Sequence, residues 1–85
     1  MPNIKSAEKR HRQSRQRRDR NRAVRSEIRT RVKILLSTED PAAAAEQLQQ
    51  VTSLIDRAAR RGVIPSNAAD RRKARLARHV SRLGA

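Results

Sequence analysis

The first 33 residues of the chain carry 13 lysine and arginine residues against three acidic ones. Only Ile4, Val24, Ile28 and Val32 are sizeable apolar side chains in this stretch, which has no aromatic residue and no glycine. Residues 9–22 read as a helix that has almost nothing to bury. A helix with so many cations and so few apolar groups needs a polyanion beside it, and this indicates nucleic acid.

The charge is unevenly distributed along the 85 residues. Residues 1–33 sum to +10, residues 34–62 to −1 and residues 63–85 to +5, which gives a formal net charge of +14. Two basic blocks therefore flank a neutral middle. A chain of this length has room for one small domain. Its aliphatic fraction is low for its charge, so we expect a weakly stable protein that its partner orders further.

Hydropathy patterning predicts three helices, over about residues 6–37, 41–61 and 66–83. Asp40 is a good N-cap because Pro41 follows it. Gly62 follows two arginines and is a good C-terminal signal for the second helix. The first helix is amphipathic only in its second half, where the apolar positions are Val24, Ile28, Val32 and Leu35.

The predicted fold is an all-α three-helix bundle, and the short connections make neighbouring helices antiparallel. Toward the N-terminus the apolar face of the first helix turns polar, so we expect that half to project beyond the bundle. Residues 1–85 then form a single domain, with a basic helical arm at 1–22 (the arm) and the bundle at 23–85. Because the arm has no apolar face to pack, we expect it to be disordered without its partner.

Enzymatic and metal-dependent functions are not expected. The chain has no cysteine, and His11 and His79 are far apart in the sequence. The eight carboxylates are scattered, and the two glycines form no phosphate-binding loop. We therefore predict no catalytic residue, no metal site and no cofactor. No apolar run reaches the length of a membrane span and no signal-peptide pattern is present, so the predicted location is the cytoplasm.

The composition of the first basic block favours contacts to phosphate and sugar, with recognition by shape. Arginine outnumbers lysine ten to three there, and a guanidinium can bind phosphate with two hydrogen bonds. The lack of aromatic residues argues against a base-stacking platform. A second basic surface is predicted on the third helix. The block itself thus indicates arm contacts at Arg12, Arg15, Arg17 and Arg18, and a third-helix contact at Arg78.

Two other kinds of basic helix remain as alternatives. Residues 20–26 look like the asparagine-centred basic region of bZIP factors, which bind the major groove of DNA. A bZIP helix continues into a long zipper, whereas here the seven-residue step from Ile28 to Leu35 meets the break at Asp40 and Pro41. A cationic peptide that lies on a membrane surface is the other alternative, but the arm lacks a continuous apolar face.

Several short motifs, in order along nearly the whole chain, resemble one protein family. The similar segments are residues 3–7, 9–10, 20–26, 29–30, 61–64, 67 and 71–76. They look like the family of the bacterial small-subunit ribosomal protein numbered twenty (S-twenty). The resemblance implies a three-helix bundle that binds small-subunit ribosomal RNA directly and early in assembly, with its long first helix inserted among RNA helices.

The resemblance also implies partners and contact residues. The expected partners are small-subunit ribosomal RNA and neighbouring ribosomal proteins, with the protein a monomer in the particle and with no DNA or membrane. The RNA contacts that the matching segments imply are Asn3, Lys5, Ser6, Lys9, Arg10, Arg20, Asn21, Arg22, Arg25, Ser26, Arg29, Thr30, Arg71, Arg72, Lys73 and Arg75.

Overall fold

A computed structural model describes residues 2–84, and it describes side chains from Lys5 onward. It contains three helices, α1 (Pro2–Ser37), α2 (Pro41–Arg60) and α3 (Ser66–Gly84), and no strand in the described part of the chain. The predicted all-α three-helix architecture is confirmed. α1 begins four residues earlier than expected. Proline at its start suits the first helical turn, because that position needs no backbone N–H donor.

The α1–α2 connection is a three-residue break that ends in a helix cap. Asp40 accepts a hydrogen bond at its side-chain oxygen from the backbone N–H of Ala43 at 3.2 Å, and Pro41 follows it. This cap satisfies one of the free N–H groups at the start of α2 and fixes where the helix begins. The predicted roles of Asp40 and Pro41 are therefore confirmed.

The α2–α3 connection reverses the chain through a Schellman motif. Gly62 has a positive φ of 76°, its N–H donates to Ala59 O at 3.1 Å, and the N–H of Val63 donates to Ala58 O at 2.9 Å. A side chain at Gly62 would strain this backbone conformation. The turn buries Val63 and the adjacent Ile64 in the core, so the connection closes one end of the bundle.

The core lies between the C-terminal half of α1 and the other two helices. Its largest fully buried side chains are Ile28 and Leu35 of α1 and Val51 and Ile55 of α2. Leu76 of α3 and several alanines complete it. α2 is the central element, since its contacts with α1 and α3 are the principal ones between helices.

The molecule is elongated because half of α1 leaves the bundle. Its principal extents are 66 × 21 × 13 Å and its radius of gyration is 17.5 Å, against about 12 Å for a compact domain of this length. Every side chain from Lys5 to Arg20 is exposed. The first buried side chain of α1 is Ile28 among the described residues. Only the second half of the helix is therefore held by tertiary packing.

Candidate nucleic-acid interface

One face of α1 carries an uninterrupted row of basic and imidazole side chains. The members recur at alternating steps of four and three residues, which keeps them on one side of an α-helix. Over 18 residues the row extends for about 27 Å. The Arg15 guanidinium donates to the Nε2 atom of His11 at 3.2 Å, so these two neighbours in the row are in contact. The row consists of His11, Arg15, Arg18, Arg22, Arg25 and Arg29.

This row continues into the bundle as a channel between α1 and α3. Three surface depressions follow one another along this side of the molecule, and all three share Arg29. The second and third also share Arg72 of α3. None of the residues that line these three depressions is acidic. The polar residues of this basic channel are Arg18, Arg22, Arg25, Ser26, Arg29, Arg72, Arg75, His79 and Arg82.

The opposite side of α1 differs in charge. The depressions between α1 and α2 include Glu27 and Glu46 together with glutamine and serine side chains. Arg31 on this side donates to the Oε1 atom of Gln50 at 3.2 Å, so its guanidinium already has a partner within the protein. The positive potential is therefore concentrated on the α1–α3 side of the bundle, and a polyanion will be attracted there.

Arg25 has a structural contact as well as a place in the basic channel. Its Nη2 atom donates to the carbonyl of Val63 in the α2–α3 connection at 3.3 Å. This bond ties the middle of α1 to the turn that closes the bundle. A guanidinium has five N–H donors, so Arg25 keeps donors for an outside acceptor while it is held in position by the backbone.

Lys73 is bound to the protein itself. Its Nζ atom lies 2.6 Å from Asp56 of α2 and 3.5 Å from Asp70 one turn earlier in α3. The hydrogen bond with Asp56 raises the pKa of Lys73 above its ordinary value of 10.5, with a smaller contribution from Asp70. Lys73 thus joins α2 and α3 by an ion pair. Because Asp56 and Asp70 offset its charge, it attracts an outside anion less strongly than its arginine neighbours do.

The sequence of the chain matches a known family over almost its whole length. Residues 2–81 fit the family model of ribosomal protein S20. The chain belongs to the ribosomal protein S20 family. Because this family is structural and non-enzymatic, the prediction that the chain is not an enzyme is confirmed, and so is the family that the sequence motifs indicated.

Three relatives of this S20 chain illustrate the match. Small ribosomal subunit protein bS20 of Gemmatimonas aurantiaca is 54% identical over 81 residues, which cover 95% of each chain. The protein of the same name from Kosmotoga olearia is 46% identical over 84 residues, or 94% of this chain and 86% of the relative. That of Bacillus cytotoxicus is 44% identical over 84 residues, or 95% and 99%.

The predicted contact residues of this S20 chain fall into three groups. Arg18, Arg22, Arg25, Ser26, Arg29, Arg72 and Arg75 line the basic channel. Arg15 lies in the row on the same face, whereas Thr30 lines none of the three depressions and its hydroxyl donates to Ser26 O at 3.0 Å within the helix. The exposed residues outside the channel are Lys5, Ser6, Lys9, Arg10, Arg12, Arg17, Arg20, Arg71 and Arg78.

Three predicted positions fall outside these groups, and two residues of the channel were not predicted. Asn21 is half-buried, Lys73 is paired with Asp56, and the side chain of Asn3 lies outside the described residues. His79 and Arg82 line the channel but were absent from the predicted contacts. Their spacing of seven and ten residues from Arg72 was the signal, since these positions share one face of a helix.

Neither a metal-binding cluster nor a membrane-spanning helix is found among the residues that the structure describes. Within residues 2–84, no group of three or more histidine, cysteine or acidic side chains is arranged to hold a metal ion. Among the described helices, none has the length and apolar character needed to cross a bilayer.

The structure also argues against the bZIP alternative. α1 ends at Ser37, and Ile28 and Leu35 are fully buried against the chain's own bundle, so they offer no seam to a second helix.

Proposed function

We propose that this protein is a structural component of the small ribosomal subunit that binds small-subunit ribosomal RNA directly and promotes its folding and assembly. The observation that carries the proposal is the basic channel, which extends from the arm along α1 and onto α3 without an acidic residue in its lining. The relatives that share 44–54% of the sequence are named as small-subunit proteins. The location that follows is the ribosome, in the cytoplasm.

The arm acts as a rod of positive charge between RNA helices. Phosphate backbones repel one another at close approach, and arginine side chains on all sides of one helix neutralise several backbones at once. Each guanidinium binds phosphate through paired N–H groups. Since the chain has no aromatic residue, binding depends on the shape of the RNA and on its backbone rather than on stacking platforms.

The bundle sets the direction in which the arm leaves. Ile28 and Leu35 fix the second half of α1 against α2, and Arg25 bonds to the Val63 carbonyl. Because α1 is one continuous helix, its first half inherits this orientation. The basic face of α3 lies beside the same channel, so the arm and the bundle engage one continuous RNA surface.

Partners and stoichiometry follow from the same surfaces. The protein acts as a monomer in the particle, with small-subunit ribosomal RNA as its principal partner. The side of the bundle that carries Glu27 and Glu46 is the less basic one. This side faces away from the RNA backbone, where neighbouring small-subunit ribosomal proteins or solvent can lie against it.

A competition assay tests the proposal. Labelled small-subunit ribosomal RNA is titrated with the full chain at about 150 mM salt, in the presence of excess duplex DNA and unrelated structured RNA. We expect nanomolar binding that survives both competitors. If duplex DNA and unrelated RNA both displace the labelled ribosomal RNA equally well, charge alone is responsible for binding. That result would contradict an RNA site of defined shape.

The salt dependence of the same titration counts the phosphates. If about 8 phosphates are neutralised, log K falls with log salt at a slope of roughly −6 to −7. A slope shallower than about −2 would exclude an arm that contacts many phosphates.

A further inference from the structure

The basic channel is most apolar at the end that lies beside the C-terminal part of α1. Here α1 and α3 enclose a groove of about 340 Å³, which is at the lower end of the ~300–1,000 Å³ range of small-ligand sites. Val32 and Leu36 of α1 and Leu76 of α3 form its floor. We name this region the α1–α3 groove. Its residues come from two helices whose relative position is fixed by α2, so the groove exists before any ligand binds.

Leu36 is the unusual member of this floor. It is 50% exposed, although its neighbour Leu35 is fully buried. An apolar side chain of this size left half in water beside arginines gains free energy when an apolar surface covers it. The bundle itself provides no such cover.

The rim of the groove is cationic. Arg29 of α1 and Arg72, Arg75 and Arg82 of α3 surround the floor, and no acidic residue lines it. A ligand that fits must therefore combine an apolar face with negative charge. A nucleotide has both, since its base has an apolar planar face and its phosphate is anionic, and guanidinium planes also stack on bases.

His79 adds a polar group to the same wall. Its Nε2 atom is shielded from solvent and makes no hydrogen bond with the described residues. A buried polar atom without a partner is costly. The edges of a nucleobase carry donors and acceptors, and a rotation of the His79 ring, which lines the groove, would turn this shielded atom toward a bound base.

We propose that the α1–α3 groove holds one unstacked nucleotide of the bound RNA, with its base on Leu36, Val32 and Leu76 and its phosphate between the rim arginines. This inference rests on the proposed function, since it assigns one nucleotide of the same RNA to one place. Unstacked bases in loops and bulges are the parts of RNA that proteins read individually. The groove therefore supplies base-level recognition to an interface that otherwise contacts the backbone.

Continuity favours RNA over an acidic peptide as the occupant. The groove shares Arg29 and Arg72 with the preceding depression of the channel. A strand of RNA that follows the arginine row along α1 reaches the groove without leaving the protein surface. An acidic peptide in the groove would compete for Arg29 and Arg72 with the RNA backbone that occupies the adjoining depression.

The test uses two similarly exposed aliphatic residues on opposite sides of α1. Leu36 is 50% exposed in the groove, and Ile34 is 45% exposed in a depression on the α1–α2 side that contains Glu46. We compare Leu36→Ala with Ile34→Ala for binding to small-subunit ribosomal RNA. Leu36→Ala should weaken binding by about tenfold, from the lost apolar contact, and Ile34→Ala by less than about twofold.

Two further readouts separate the groove from general electrostatics and from folding. The salt slope should be the same for wild type and Leu36→Ala, since no charge changes. Base-specific chemical probing of the complexes should show one or two bases that are protected with wild type and Ile34→Ala but reactive with Leu36→Ala, at unchanged backbone protection. Thermal unfolding of the free variants should remain close to wild type, because both side chains are half exposed.

Each alternative outcome has a distinct meaning. If wild type binds the RNA tightly and Leu36→Ala binds equally well with the same base protections, the nucleotide site is wrong and the proposed function stands. If Leu36→Ala binds RNA normally but is lost from assembled subunits, the occupant is a protein and the proposal is also wrong. If wild type itself does not bind the RNA, the proposed function is wrong, and the nucleotide site is wrong with it.

Discussion

The arm and the bundle share one helix but are held by different forces. In α1 the side chains from Lys5 to Arg20 are exposed on every face, whereas Ile28 and Leu35 are completely buried. Local backbone hydrogen bonding is common to both halves. Only the bundle half gains from burial, and burial is the main source of stability for a helix in a protein. The contrast shows that helix continuity does not imply a shared origin of stability.

The difference assigns separate tasks to the two regions. The arm has the higher charge density and few groups that stabilise the free fold, so its side chains are available to a partner. The bundle buries most of its apolar side chains in its own core, and the side chains that line its α1–α3 side are basic with no acidic residue among them. Mutations should therefore separate cleanly into those that weaken RNA binding and those that weaken folding.

The largest effect should come from removing charge in the arginine row of the arm. We expect Arg15→Gln, Arg18→Gln and Arg22→Gln together to weaken binding to small-subunit ribosomal RNA by roughly 100- to 1,000-fold and to make the salt slope shallower by about 2 to 3. The three side chains are exposed, so the thermal unfolding midpoint should not fall. The measurement is a salt-series titration with circular dichroism of the free protein.

A matched control removes the same charge from the bundle away from the channel. Arg57, Arg60 and Arg61 near the end of α2 are exposed and line none of the three channel depressions. Their replacement by glutamine should cost much less affinity. Equal losses from both triple variants would mean that net charge, and not the position of the row, determines binding.

Packing in the bundle half of α1 should show the reverse pattern. Leu35 is fully buried, and Leu35→Ala should lower the free energy of unfolding by about 2 to 5 kcal/mol, a large share of the total for a domain of this size. Urea unfolding of the free chain measures this change. Binding to saturating RNA should recover much of the fold by mass action. An unchanged unfolding midpoint would show that Leu35 is not part of a cooperative core.

The sequence predicted the architecture because its strongest signals are local. Asp40 with Pro41 fixed the start of α2, Gly62 fixed the end, and the apolar spacing of Ile28 and Leu35 identified the packed face of α1. The relative placement of helices is not a local signal. The groove between α1 and α3, the exposure of Leu36 and the channel positions of His79 and Arg82 depend on it. The pairing of Lys73 with Asp56 depends on it too.

Glycine substitutions at two exposed alanines of α1 compare the regions without changing charge. Ala23 lies at the junction with the bundle, and Ala7 lies in the arm. Ala23→Gly should destabilise the free protein by about 0.5 to 1 kcal/mol. Ala7→Gly should leave its thermal unfolding unchanged, because no tertiary contact makes the arm part of the cooperative unit.

Amide exchange of the free protein checks the same point residue by residue. We expect weak protection across 9–22 and strong protection around Ile28 and Ile55, both fully buried. RNA should protect the arm. Strong protection of 9–22 in the free chain would show that the arm is stable by itself and would remove the basis for the contrast.

The smallest effect concerns a single cation that behaves as part of the bundle. Lys73 is only 28% exposed and bonds to Asp56 at 2.6 Å, whereas Arg72 beside it is exposed in the channel. Lys73→Met should lower the thermal midpoint slightly and weaken RNA binding less than Arg72→Met does.

The hydrogen bond to Asp56 raises the pKa of Lys73. The stabilisation that this bond gives to the fold is therefore not reduced by loss of the Lys73 proton below pH 10.5, and it is lost as the pH rises through the raised value. The difference in midpoint between wild type and Lys73→Met should therefore be constant from neutral pH up to pH 10.5 and decrease only above it. A larger loss of RNA affinity from Lys73→Met than from Arg72→Met would place this lysine with the binding residues, as its position in the basic run first indicated.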